Sequence, residues 1–233
     1  IVTPQGTFQV DTGLTWLTSL QNHTDNTWTS HGTTLTTSND ITVLTVGALS
    51  GSNESLHTSI LGHLHVDHNY NNETVTGHGM VFRHMYEGKF NVSAEGCARG
   101  IVLYAQDSGC NYNQFWLGDM RGNDFGLYLE SVDDPSAGPA DGNVNENIFY
   151  SGRFAPYGST TGTAYIYLPN LGQNHPPNNN RFVAPSFEGN SSTTITYGYY
   201  SGGHWNHLWH PRVEIGATIT EGNEVYIDYA GIG

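Results

Sequence analysis

Five copies of one short phrase recur in the second half of the chain and limit what it can fold into. In each copy an asparagine is followed two residues later by an apolar residue, and five residues further on by a second one. The copies begin at Asn113, Asn147, Asn180, Asn206 and Asn223, at intervals of 34, 33, 26 and 17 residues. The intervals differ because of Gly-, Pro- and Asp-rich stretches such as 133–143 and 171–179, which are typical of loops. A period of this size predicts a solenoid of structurally equivalent coils.

Short runs of apolar, aromatic and β-branched residues precede most copies, at 100–104, 125–129, 164–168 and 194–197. Weaker versions of the same unit occur at 39–46, 59–66, 79–82 and 89–92. Each period therefore supplies two short strands, and no segment has the periodicity of an amphipathic helix. An irregular β-sandwich is the alternative, but it accounts for the strands and not for the repeated phrase.

The repeated asparagine is expected to be structural. A bend between two short strands can require a left-handed backbone conformation, which Asn tolerates, and stacked amides can hydrogen-bond as a ladder. Successive coils would rise about 4.8 Å each. The side chains stacked inside would be Phe115, Phe149, Phe182 and Leu208.

Charge restricts the possible functions. The chain has 233 residues, with 21 Asp and Glu against 7 Lys and Arg, a formal charge of −14, and Lys89 as its single lysine. This balance argues against nucleic-acid binding, which needs a basic surface. No apolar run approaches the ~18 residues of a membrane span. An acidic, lysine-poor surface is typical of halophilic proteins and also of ordinary acidic secreted proteins.

Sequons and cysteines bear on the compartment. N-glycosylation is possible in an exported chain at Asn22, Asn53, Asn72, Asn91 and Asn190, which would make the protein a glycoprotein. Cys97 and Cys110 would close a short disulfide loop worth about 3 kcal/mol in an oxidising compartment, with two free buried thiols as the alternative. Together these features favour an extracellular or virion-surface location.

Two segments carry a family resemblance: NNNRFVAPSFEG at 178–189 and HWNHLWHPRVE at 204–214. They resemble coils of right-handed parallel β-helix proteins of the pectate-lyase-like superfamily, and among these the viral and phage tailspikes and tail fibres. The resemblance spans residues 34–230. It implies a single-stranded β-helix domain at 34–233, often assembled as a homotrimer. Residues 1–33 are expected to be an N-terminal cap or a connector, because a solenoid end needs covering.

Members of that superfamily include polysaccharide lyases, glycosidases and glycan-binding adhesins. No family catalytic motif can be placed on this chain, so the resemblance carries over no catalytic residue and implies no cofactor.

Aligning the copies suggests catalytic candidates from the residues themselves. One column contains Asp119, Arg153, Ser186 and Arg212, and a second places Glu188 beside Glu214. Two stacked carboxylates could repel, which would raise one pKa and leave an acid and a base for cleaving a glycan. Arg153 and Arg212 could hold the carboxylate of a sugar acid. The alternative is a solvated ladder of mutually neutralising charges.

Twelve histidines raise the question of a metal. The alternation of His63, His65 and Asp67 would put all three on one strand face, but a site needs a further ligand from another coil, such as His78 or His84. Hydrogen-bonded surface histidines are the alternative, and no metal site is predicted.

Aromatic side chains are too numerous for a narrow solenoid interior. The residues in question are Trp116, Tyr150, Tyr165, Tyr167, Tyr197, Tyr199, Tyr200, Trp205 and Trp209. Outward-facing rings suit the apolar faces of sugars, and Trp205, Trp209, Tyr199 and Tyr200 are the candidate glycan-binding residues. Such rings would equally suit a subunit interface.

The sequence therefore predicts an oligomeric β-helical protein of the virion surface or the extracellular space that attaches to host-cell glycans. One alternative is a polysaccharide lyase or glycoside hydrolase acting on envelope glycans. The other is a structural subunit of a virion or an extracellular filament.

Overall fold

The structure is a computed structural model. It describes residues 1–16, 26–47, 57–68, 76–106, 109–132, 142–156, 162–171, 175–189 and 195–214, and the backbone of 217–219 and 226–228. The described residues form 21 strands and no helix.

The strands form two sheets, which we call the large sheet and the small sheet. The large sheet contains β1 (Val2–Thr3), β2 (Gly6–Gln9), β4 (Asn26–Ser30), β5 (Thr33–Thr37), β7 (Thr58–His68), β9 (Lys89–Glu95), β11 (Gln114–Arg121), β13 (Ile148–Ala155), β15 (Arg181–Val183), β16 (Ser186–Phe187), β18 (His207–Trp209), β19 (Arg212–Val213) and β21 (Tyr226–Asp228). The small sheet contains β3 (Leu14–Trp16), β6 (Leu44–Val46), β8 (His78–Arg83), β10 (Arg99–Ala105), β12 (Phe125–Ser131), β14 (Gly162–Leu168), β17 (Ile195–Ser201) and β20 (Ala217–Ile219).

The chain alternates between the sheets, and each strand pairs in parallel with its counterpart on the next coil. In the large sheet, β9, β11, β13, β15 and β18 are successive neighbours, while β10, β12, β14 and β17 follow one another in the small sheet. Two face-to-face sheets of hairpins would instead give antiparallel pairs. The predicted all-β parallel β-helix is therefore confirmed and the sandwich alternative is wrong.

Aromatic rings stack along the interior of the solenoid. Phe90, Phe115, Phe149 and Phe182 lie on successive coils with ring centroids 4.8, 5.0 and 5.0 Å apart, and Leu208 follows in register. All five side chains are buried. Because the coils pair in register, the same offset on each coil places its ring on the ring below, in the offset-stacked geometry that aromatic pairs favour.

The last copy of the phrase is aligned differently from the prediction. The sequence phrase matches Val225 to Leu208, but the backbone pairs Leu208 with Ile227. The two alternatives differ by two residues, which is one strand period, so the inward or outward pattern alone cannot separate them. Asn223 and Ala230 lie outside the described residues.

The predicted boundary at residue 33 has no structural counterpart. Strands β1, β2 and β3 pair in parallel with β4, β5 and β6 and so form a first coil of the same solenoid. Strand β5 begins at Thr33 and continues past the predicted boundary between residues 33 and 34. The described parts of 1–33 are therefore coils of the β-helix, in which β4 already alternates buried and partly exposed residues whereas β2 of the first coil is largely exposed.

Asn113, Asn147, Asn180 and Asn206 form a buried hydrogen-bonded row, here called the Asn ladder. The Nδ2 atoms of the first three donate to Oδ1 of the next asparagine at 2.9, 3.0 and 3.0 Å. Each Oδ1 also accepts a backbone N–H from the preceding coil at 2.8 to 3.1 Å. Each Nδ2 donates in addition to a main-chain carbonyl at 2.8 to 3.0 Å. Buried amides are tolerated here because their hydrogen-bonding capacity is used.

The left-handed residue at this corner is the one before the ladder position. Positive φ angles of 51° to 60° occur at Glu87, Tyr112, Glu146, Asn179 and Trp205. The sequence expectation assigned that conformation to the ladder asparagine itself, which is wrong. The asparagine supports the bend with its side chain, whose bonds to the backbone offset the cost of the left-handed residue.

Cys97 and Cys110 are free and buried, so the predicted disulfide is not formed. Cys97 precedes β10 and Cys110 follows it, which separates them by a strand of seven residues. At about 3.3 Å per residue such a strand is far longer than the ~7 Å limit for two bridged Cα atoms. Burial raises the pKa of both thiols.

We expect Asn147→Ala to lower the free energy of unfolding by about 3 kcal/mol, because it leaves the buried N–H groups of Asn113 without an acceptor. Urea unfolding followed by circular dichroism measures the change. Gln114→Ala on the neighbouring coil is the control, since its side chain points outward. Equal stability losses in both variants would contradict a role for the ladder.

We expect neither cysteine of the native protein to react with a thiol reagent, because both thiols are buried and protonated. After unfolding in guanidinium without reductant, both should react. Dithionitrobenzoate absorbance counts the accessible thiols, and finding none in the unfolded protein would show that a disulfide exists.

Candidate functional site

The outer face of the large sheet presents aligned rows of side chains. Register places Asn91, Trp116, Tyr150, Val183 and Trp209 in one row, here called the aromatic row. Trp116 stacks on Tyr150 with ring centroids 5.3 Å apart and planes 20° apart. Trp116 is 41% exposed. From Trp116 to Trp209 the row crosses three coil steps, or about 14 Å along the solenoid axis.

A second row lies two residues before the aromatic row on the same face. It contains Lys89, Gln114, Ile148, Arg181 and His207, and is here called the basic row. Neither Lys89 nor Arg181 forms an ion pair with a described residue. Burial, and then the Arg181 guanidinium, lowers the pKa of His207. His207 is therefore neutral at neutral pH, and the basic row contains no carboxylate.

Past a bend in the same strands lies an ion-paired row, here called the charge ladder. The predicted column of Asp119, Arg153, Ser186 and Arg212 is in register as expected. Arg153 donates from Nε and Nη2 to Oε2 of Glu188 at 2.9 and 2.8 Å.

The charge ladder continues on both sides of this pair. Nη1 of Arg153 is 3.8 Å from Oδ1 of Asp119, and Nη1 of Arg212 is 3.7 Å from Oε1 of Glu188. Arg212 also pairs with Glu214.

The two glutamates proposed as an acid and a base do not act on each other as predicted, because Arg212 pairs with both. The hydrogen bonds and charge of Arg153, with the charge of Arg212, lower the pKa of Glu188 and so keep it ionised. The same pairing raises the pKa of Arg153. The expected rise in one carboxyl pKa is therefore wrong for Glu188, and the arrangement is the ladder of neutralising charges.

The histidines of β7 are held by hydrogen bonds. Nδ1 of His63 donates to Oδ1 of Asn91 at 2.9 Å, and Oγ of Ser93 lies 2.8 Å from Nε2 of His63 and 2.7 Å from Nδ1 of His65. Within the described ranges, no group of three His, Cys, Asp or Glu side chains is arranged to hold a metal. His78 begins β8 of the small sheet and His84 directly follows that strand, so neither lies beside His63 in the large sheet.

Of the five sequons, the structure describes one, at Asn91, which faces outward on β9 beside Trp116. The other sequon asparagines lie outside the described residues: Asn22, Asn53, Asn72 and Asn190.

The four predicted glycan-binding residues do not share one surface. Trp209 belongs to the aromatic row, and Trp205, 59% exposed, lies at the corner that leads into the same strand. Tyr200 is on the outer face of the small sheet, stacked on Tyr167 at 4.7 Å. Tyr199 is 0% exposed and packs against Phe182, so its assignment to a ligand surface is wrong.

The register of the small sheet separates these tyrosines, whereas a comparison of the repeats alone could have found the aromatic row. Tyr199 aligns with Ile166 and Tyr200 with Tyr167, which marks the first position as interior. Trp116 and Tyr150 each follow a ladder asparagine by three residues, the offset that Trp209 also has. This shared offset within the repeated phrase therefore predicts the aromatic row.

The outer face of the small sheet has an apolar row of its own. Val81, Val102, Tyr128, Tyr167 and Tyr200 occupy successive coils in register. The guanidinium of Arg99 lies 3.7 Å from the centre of the Tyr128 ring, close enough for a cation–π contact.

Searches of known protein families, characterised proteins and solved structures find no match to this chain. The parallel β-helix is observed, whereas the relationship to the pectate-lyase-like superfamily stays a prediction from two short segments. The part of the chain that the structure describes contains no helix that could cross a membrane.

We expect the charge ladder to make stability depend on pH in the acid range. Because the pKa of folded Glu188 lies below its ordinary value of 4.5, its stabilising effect is complete above that value and is lost as the pH falls towards the folded pKa. Glu188→Gln should remove about 1 kcal/mol at pH 7 and flatten this dependence.

Thermal unfolding between pH 3 and pH 7 tests this prediction. Glu87→Gln is the control, since Glu87 has one distant partner, His57, at 3.8 Å. An unchanged slope in Glu188→Gln would show that the ladder does not contribute.

Proposed function

We propose that the protein binds glycans through the aromatic row. The observation that carries the proposal is the stacked pair of Trp116 and Tyr150, held on adjacent strands with the tryptophan ring open to solvent. Sugar rings have apolar faces that stack on indole and phenol rings, while their hydroxyls hydrogen-bond to polar neighbours. Gln114 offers an amide on the same face.

The direction of the row favours a chain over a single sugar. Trp116, Tyr150 and Trp209 follow the solenoid axis, so an extended polysaccharide lying along that axis would meet one ring after another. The rings project from paired strands and need little ordering on binding, which favours affinity.

The same surface suits an attachment protein of the extracellular space or a virion. Support for this location comes from the acidic, lysine-poor chain. A homotrimer is the oligomer we favour, on the family resemblance.

Binding is favoured over cleavage. A depolymerase using Glu188 as its acid would need that carboxyl protonated at neutral pH, and its ion pairs with Arg153 and Arg212 oppose protonation.

We expect Trp116→Ala and Tyr150→Ala each to weaken polysaccharide binding about three- to tenfold, because each removes one ring of the aromatic surface that the sugar would contact. Affinity electrophoresis through gels containing a panel of neutral and acidic polysaccharides measures the dissociation constants.

Phe8→Ala is the matched control, since Phe8 is also 41% exposed but lies on the first coil. Wild-type mobility that no polysaccharide changes would refute the proposal. So would retention that both row variants keep in full.

A further inference from the structure

We propose that the glycan carries an acid group, a carboxylate or a sulfate, and that Arg181 binds it at the Val183 step of the aromatic row. This inference rests on the proposed function of that row.

The charge distribution supports an acidic ligand. The chain has 7 basic against 21 acidic residues. Most of the basic residues project from the outer face of the large sheet: Lys89, Arg121, Arg153, Arg181 and Arg212. From Asn91 to Trp209 the aromatic row has no carboxylate, nor has the basic row from Lys89 to His207, and the backbone register places Asp228 after Trp209 at the far end of the aromatic row. An anion is therefore repelled less on this facet than elsewhere on so acidic a protein.

Arg181 is the available cation among the arginines of this face. Arg153 and Arg212 are committed to Glu188, and Arg121 donates to Glu95 at 3.1 Å. Arg181 has no ion pair with a described residue. Its neighbours on the adjacent coils of the basic row are Ile148, which is apolar, and His207.

The charges of the corner residues beside the basic row also favour an anion at the end of that row where Arg181 lies. Glu87 and Glu146 lie at the corners of the coils of Lys89 and Ile148; Glu87 pairs with His57, and Glu146 hydrogen-bonds Tyr112. On the coils of Arg181 and His207 the corner residues are neutral: Asn179 and Trp205. The local field is therefore most favourable to an anion near Arg181.

Side-chain size gives the acid group a place. Val183 is the small member of a row whose neighbours are Tyr150 and Trp209, so the row is notched for one coil step. Arg181 precedes Val183 by two residues on β15 and shares its face. A sugar seated in the notch between the two rings would have its acid group beside a guanidinium, which binds carboxylate or sulfate through paired N–H donors.

The first experiment compares the binding of different polysaccharides to the wild-type protein. Wild-type protein is run in affinity gels containing hyaluronan, carboxyl-reduced hyaluronan, dextran sulfate or dextran. We expect retardation by hyaluronan or dextran sulfate, loss of hyaluronan retardation on carboxyl reduction, and weakening by salt. The polymer that retains the protein distinguishes carboxylate from sulfate.

The variant test uses Arg181→Gln, with Arg212→Gln as its control. Arg212 is 68% exposed on the same face, so the control removes the same charge from the charge ladder. We expect Arg181→Gln to weaken binding of the acidic polymer at least about tenfold and Arg212→Gln to change it less than about twofold. Arg181→Lys should retain part of the affinity.

Several outcomes would overturn the inference. Equal losses in the two glutamine variants would indicate unspecific attraction, and binding of carboxyl-reduced hyaluronan and dextran as strong as that of hyaluronan and dextran sulfate would exclude an acid group. Retardation by dextran alone, lost in Trp116→Ala, would refute the acid group and keep the glycan-binding proposal. No retardation by any polymer would refute both.

Discussion

Parallel, in-register pairing between successive coils is the constraint on which the rest of this structure depends. Once Phe115 pairs with Phe149, every residue on the coil has a fixed neighbour above and below. The Asn ladder makes this pairing specific at the corner, because a shift of one residue would leave buried amides without partners. Phenylalanine rings inside and amides at the corner thus select the same register by different interactions.

That constraint also arranges the surface. Residues at equivalent positions of successive coils form rows along the solenoid axis whether or not they bind a ligand. The chemistry of each row therefore has to be considered separately. The charge ladder is self-neutralising, since Arg153 and Glu188 satisfy each other. The aromatic and basic rows are not, because Trp116 is open to solvent and Arg181 has no described carboxylate beside it. The unsatisfied rows are the better candidates for a ligand.

How far the site could be predicted follows from the same geometry. The repeated phrase was enough to align Arg153 with Ser186 and Arg212, because these offsets lie within strands of fixed register. It did not show that Arg212 would pair with both Glu188 and Glu214, since side-chain reach and direction are not properties of the alignment. The pKa of Glu188 therefore moved opposite to the expectation from two stacked carboxylates.

The sequence by itself determined the β-helical fold and its main register, because a buried asparagine that recurs once per coil is best satisfied by the asparagine of the next coil. Only the tertiary structure decided which residues of the small sheet face solvent and which face the core. Tyr199 and Tyr200 are identical in chemistry and adjacent in the chain, yet one is buried and the other reaches the surface. Cys97 and Cys110 likewise lie close in sequence but at opposite ends of β10, because an extended strand separates them.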